Sequence, residues 1–141
     1  GAAAPSIRAD HTYFDFKTGL YILEGNVQIE YTERLITADK AKVNLANLEV
    51  WGSGNVTLTQ SDIHFTGGTV YVIGKKRLAI IDGGVRFKRN GLIIEADKVE
   101  FNWRSKLAVF HGHVRVNEQG KTWSADNVTY NVKLNTFIEP S

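Results

Sequence analysis

Apolar and polar residues alternate along this chain at the period of a β-strand, and the alternation restarts every 29 residues. Gly25-Asn26-Val27, Gly54-Asn55-Val56, Gly83-Gly84-Val85 and Gly112-His113-Val114 recur at that step. Thr37-Ala38-Asp39, Thr66-Gly67-Gly68, Glu95-Ala96-Asp97 and Ser124-Ala125-Asp126 recur in phase with them, and Ala9-Asp10 stands one step earlier as a half unit. Self-similarity at a fixed step marks a repeat architecture. The period-two alternation predicts two strands per unit: 7–16, 20–31, 35–45, 49–59, 63–73, 78–89, 92–102, 107–117 and 121–132, with a stub at 136–139. The connections are short, such as Lys17-Thr18-Gly19, Gln60-Ser61-Asp62 and Glu118-Gln119-Gly120. Consecutive strands are therefore antiparallel neighbours, because a parallel crossover needs a dozen or more residues. Asn90-Gly91 predicts a type I′ turn with positive φ at both residues. No stretch sustains a helical period.

The apolar ladders change parity inside each unit. Ile36 and Val43 are both apolar but have opposite parity, so an extra residue is expected at the Ala-Asp motif, as a bulge that bends the strand. A second change is expected around the glycine motif, between Ile22 and Val27 and between Trp51 and Val56. Bent strands set side by side form an all-β, antiparallel repeat meander folded into a V, with an apolar interior. Glycine supplies positive φ at the bend. Asp39, Asp97 and Asp126 are expected to accept from backbone N–H groups freed there.

The 141 residues suit a single domain, expected at 7–139 behind a flexible end at 1–6. Both prolines, Pro5 and Pro140, lie near the termini, which leaves an unbroken ladder between them. With 17 Lys+Arg against 15 Asp+Glu the net charge is only +2, too little for a general polyanion or nucleic-acid binder. The absence of Cys removes disulfides, thiolate metal sites and cysteine nucleophiles. No apolar run reaches the roughly 20 residues of a membrane span.

Catalytic constellations are wanting. Glu30 and Glu33 flank one turn, and Asp62 and Glu49 are a looser pair, but no pair is expected beside an apolar pocket residue that would raise a carboxyl pKa. There is no Gly-x-Ser-x-Gly. His111 and His113 are two residues apart and are expected on one strand face, where a pair could begin a metal site; no third ligand accompanies them beyond Glu118, a turn away. Neither a catalytic site nor a metal or other cofactor is predicted. Trp51 and Trp123 occupy repeat positions that are otherwise Ile, Val or Phe, which predicts core packing; Trp103, before Arg104-Ser105-Lys106, is expected to be partly exposed. The basic turns Lys75-Lys76-Arg77 and Lys88-Arg89 lie at opposite ends of strand 78–89, as solvated turns rather than one patch.

The motifs Gly25-Asn26-Val27, Gly54-Asn55-Val56, Ala38-Asp39-Lys40-Ala41, Ala96-Asp97-Lys98-Val99 and Ala125-Asp126-Asn127-Val128, in fixed phase over 7–139, resemble the OstA-like superfamily of LptA-type proteins. The third unit departs from the pattern at Thr66-Gly67-Gly68. The resemblance implies a folded β-jellyroll and a non-enzymatic role in the periplasm: a carrier or bridge component that shelters lipopolysaccharide acyl chains. LptC-like proteins and LptD N-terminal domains share the fold, and the motifs do not separate the three. A signal peptide or membrane anchor is not expected within these residues. A carbohydrate-binding or structural β-repeat module of an envelope protein is the alternative.

Under that resemblance the lipid-binding groove is expected from the inward columns: Ile29, Val56, Leu58, Val85, Phe87 and Val114 after the glycine motifs, Ile36, Phe65, Ile94 and Trp123 at the start of the next strands, and Val43, Val72 and Phe101 near their ends. The two ends of the meander leave unpaired backbone groups. Ile7, Thr12, Phe14 and Phe16 at one end, and Val128 and Tyr130 at the other, are expected to pair with further copies head to tail, or with LptC-like and LptD-like partners of the same transport system.

Overall fold

The computed structural model describes residues 4–139. It holds the strands β1 (Ser6–Arg8), β2 (His11–Asp15), β3 (Leu20–Tyr31), β4 (Arg34–Asn44), β5 (Glu49–Gln60), β6 (Ile63–Ile73), β7 (Leu78–Arg89), β8 (Leu92–Asn102), β9 (Leu107–Glu118), β10 (Lys121–Asn131) and β11 (Thr136–Ile138), with one 3-10 turn at Gly74–Lys76. They form one antiparallel sheet of eleven strands in chain order, with β1 and β2 both paired to β3. The expected first strand 7–16 is thus two strands, broken at Ala9-Asp10. Residues 1–3 of the expected flexible end, and Pro140, lie outside the described residues; Ser6 opens β1.

Every long strand crosses a bend at the repeat motifs, and the bend divides the sheet into two walls. Val27 pairs with Ala38 and Glu24 with Lys40, so Gly25-Asn26 on β3 stand opposite Asp39 alone. The extra residue therefore belongs to the glycine strand, not to the Ala-Asp strand. Gly25 and Asn26 both take positive φ, as do Gly54 and Asn55, Gly83 and Gly84, and Gly112 and His113. Two consecutive left-handed residues turn the strand without reversing its inward parity. Leu23 and Val27 are both buried, as are Gly52 and Val56. The parity change expected between Trp51 and Val56 does not occur: Trp51 points outward, 37% exposed.

Across the bend the aspartates bond side chains rather than backbone. Asn26 donates to Asp10 at 2.9 Å, Asn55 to Asp39 at 2.9 Å, and His113 meets Asp97 at 2.8 Å. Each carboxylate lies against the glycine before its partner. The departure in the third unit follows from this geometry: Gly68 replaces the aspartate, Gly84 replaces its partner, and Gly68 packs backbone to backbone on Gly83. The turns differ from expectation too. Asn90 has positive φ but Gly91 does not; paired positive φ occurs at Thr32-Glu33 and Gln119-Gly120.

Candidate functional site

The inward residues of the two walls make two facing apolar ladders. Strand register aligns Ile7, Ile29, Ile36, Leu58, Phe65, Phe87, Ile94, Val116 and Trp123 on the first wall. On the second it aligns Phe14, Tyr21, Val43, Val50, Val72, Ala79, Phe101, Ala108, Tyr130 and Phe137. Val56, Val85 and Val114 lie between these ladders and the bend. Of the thirteen groove residues expected from the sequence, all but Trp123 are buried in this interior. Trp123 is 41% exposed because, among the described residues, no strand lies beyond its half of β10, and it packs edge-on against Phe137 at 5.3 Å.

Sequence reasoning missed about half of the interior. Leu23, Ile81 and Phe110 are fully buried, and Gly52 stands at the same repeat position. Their 29-residue step was available as a signal, but the neighbouring Ile22 and Trp51 masked the phase. The structure also reverses the tryptophans. Trp51 stacks on Tyr71 on the outer face, at 5.4 Å and 11°. Trp103 is 7% exposed, since the turn after β8 folds it inward over the mouth of the V.

The interior is filled by its own side chains. Phe65 and Phe87 (first wall) meet Phe101, Phe110 and Tyr130 (second wall) at centroid distances of 5.3 to 6.5 Å. The aliphatic end beside β3–β5 keeps a cavity of about 40 Å³, lined by Ile29, Ile36, Val43, Leu58, Val72 and Trp103 among others. That is room for one or two waters, not for an alkyl chain. A larger hollow, about 850 Å³, is instead an open concavity on the outer face around Trp51 and Tyr71. Its lining mixes outward residues with Leu23, Ala41, Gly52 and Val70 of the sheet between it and the interior.

Two polar links span the mouth. Arg34, on the first rim, lies 4.8 Å over the ring of Trp103 on the second. Burial holds its guanidinium below the ordinary arginine value. Arg89, on the first rim, donates to Asp62 at 3.0 Å beside it, and across the mouth to the Tyr130 hydroxyl at 3.3 Å and to the Val132 carbonyl.

Of the expected edge residues, Ile7, Thr12 and Phe14 lie on β1 and β2, whose outer sides carry no strand among the described residues, and Phe16 is 90% exposed in the following turn. Tyr130 is not an edge residue: it pairs with Ala108 on one side and Phe137 on the other and is fully buried. Val128, though its side chain is buried, has no β11 partner, and the open part of β10 runs from Lys121 to Val128. The two histidines do not converge. His113 turns to Asp97 on β8, while His111 meets Asn127 on β10 at 2.9 Å, because left-handed Gly112 and His113 rotate the chain between them.

A single bent antiparallel sheet with two free ends and an apolar interior is an LptA-like β-jellyroll. The family described as LptA/(LptD N-terminal domain) LPS transport protein matches residues 35–136, and the chain belongs to that family. Among solved structures the chain is similar to LptH, the LptA homologous periplasmic component of the conserved lipopolysaccharide transport device from Pseudomonas aeruginosa. The TM-score is 0.64 and the identity 16%, over 70% of this chain and 75% of that one, a likeness of fold. No curated protein sequence matches the chain.

Proposed function

We propose that this chain is a periplasmic, non-enzymatic carrier that shelters lipopolysaccharide acyl chains between its two walls. One observation carries the reading: the interior is apolar from one end of the sheet to the other, with no charged side chain buried in it among the described residues. Such a lining offers no directional bonds. It gains about 25 cal/mol for each Å² of alkyl surface withdrawn from water, wherever along the ladder the chain rests. Sliding is then cheap, which suits transfer.

With so small a cavity, a chain enters by parting the walls at the mouth. The first contacts to yield are the Arg34–Trp103 contact and the Arg89 links, the polar contacts that close the rim. The ladder ends, Phe14 at 39% and Trp123 at 41% exposure, reach the free edges of the sheet. Strand pairing there, with a second copy or with LptC-like and LptD-like jellyrolls, makes the ladders continuous between subunits.

A photo-crosslinking residue at Phe65 or Phe87, in protein incubated with lipopolysaccharide, is expected to capture the lipid. Capture only at the outward positions Gln28 or Thr57 refutes the reading.

A further inference from the structure

We propose that the mouth between the β3–β4 turn and the turns after β6 and β8 is an entry site for the phosphate group of an alkyl-chain amphiphile. This rests on the reading that the interior receives alkyl chains. The repeat builds the site. Gly74–Arg77 and Trp103–Lys106 occupy the same place in successive units and lie side by side, the Trp103 N–H bonded to the Arg77 carbonyl at 3.0 Å. Arg77 thus adjoins Trp103, and Lys75, Arg77, Arg104 and Lys106 face one hollow. Arg34 faces them from the opposite rim.

These five cations line a hollow of about 520 Å³ whose walls include no carboxylate. Glu33, on the same turn as Arg34, does not line it. Among the described residues the ion pairs lie elsewhere, at Arg89–Asp62, Lys98–Glu100, His111–Glu100 and His113–Asp97. In a chain whose net charge is only +2, five cations in one hollow, none of them ion-paired among the described residues, are a local excess, even with Glu33 close enough to act on Arg34. At the same turn position the preceding unit, Ala46-Asn47-Leu48, is uncharged, and the outermost turns carry a single cation each, Lys17 and Lys133.

The floor of this hollow is the roof of the apolar cavity. Tyr31, Arg34, Leu48, Gly74 and Trp103 line both. The buried Arg34 Nε has no hydrogen-bond partner. An anion held above by Arg77, Arg104 and the lysines, with its chain passing Trp103 into the ladder, matches charge to charge and hydrocarbon to hydrocarbon. Phosphate suits the site better than a neutral sugar, because its oxygens accept charge-assisted bonds from several guanidinium and ammonium groups at once.

The test is calorimetric titration of the full chain with dodecyl phosphate, with neutral dodecyl maltoside, and with inorganic phosphate, all below micelle-forming concentrations. Dodecyl phosphate is expected to bind about tenfold or more tightly than the maltoside, and to lose that advantage as salt screens the rim. It is also expected to shift the Trp103 indole resonance, assigned with Trp103→Phe. In Lys75→Ser/Arg77→Asn/Arg104→Ser, the ratio of the two affinities is expected to collapse toward one; Asn suits the left-handed φ at 77. A ratio unchanged in the variant, or near one in the parent, overturns the entry site while chain sheltering stands. Binding of inorganic phosphate as tight as that of dodecyl phosphate makes this a free-anion site and also overturns the proposal. Binding of neither alkyl probe overturns the chain-sheltering reading itself.

Discussion

Gly54→Ala tests the bend directly. Gly54 has φ +80°, and a Cβ there would lie 2.5 Å from Asp39 Oδ2 and 2.9 Å from Asp39 Cβ. Two costs follow. Holding an L-residue in the left-handed region costs about 1–2 kcal/mol. Pushing Asp39 aside also breaks its 2.9 Å bond from Asn55, worth about 0.5–1.5 kcal/mol net. The expected loss is therefore about 2–3 kcal/mol, read as a lower midpoint in urea with an unchanged slope, or as a fall in Tm of about 10 °C for a domain of this size. Gly84→Ala is the internal control. Its φ is +82°, but nothing lies within 4 Å of a Cβ there, so it should bear only the backbone cost, about 1–2 kcal/mol. Asp39→Gly copies the third unit. Combined with Gly54→Ala it should cost less than the two single changes added, by about 1 kcal/mol, because the bond is lost once and the clash is gone. A Gly54→Ala protein within 0.5 kcal/mol of the parent, or strict additivity with Asp39→Gly, refutes this account of the bend.

Two further outcomes are expected. His113 bonds Asp97, and this bond, followed by the attraction of that carboxylate, raises the imidazole above its ordinary value of 6.5. Its contribution to stability is then full below 6.5 and is lost as pH rises through the raised value; an NMR titration should show a raised midpoint that falls in Asp97→Asn, and equal midpoints would refute the pairing. Pairing of the free edges predicts association that grows with concentration in analytical ultracentrifugation and weakens in Tyr13→Pro, which removes an outward backbone donor, since the Asp10 N–H bond to Gly25 turns the even-numbered N–H groups of β2 inward, toward β3; a strict monomer at high concentration, with no binding to jellyroll partners, would overturn it.

Much of this protein was legible in its sequence because a repeat repeats its errors and its signals alike. A 29-residue step with two alternating segments defines strand order and antiparallel pairing, and eight of the nine long expected strands match the observed ones closely. Alternation is a local property, set by the two-residue period of an extended chain, so it needs no tertiary information. What the folded chain alone decided depends on φ at a few positions and on neighbours sixteen or more residues away. Two left-handed residues at Gly54-Asn55 keep the parity that simple counting says is lost, which sends Trp51 outward and brings Gly52 in. The pairing of Asp39 with Asn55 across adjacent strands explains the third unit, where both partners are missing, but no single strand contains it. Tyr130 looked like an edge residue until the three residues of β11 covered it. The basic hollow is spread over Arg34, Lys75, Arg77, Arg104 and Lys106, each in a turn that by itself is merely polar. Only the stacking of equivalent turns, and the folding of the sheet that brings Arg34 opposite them, gathers that charge over the apolar interior.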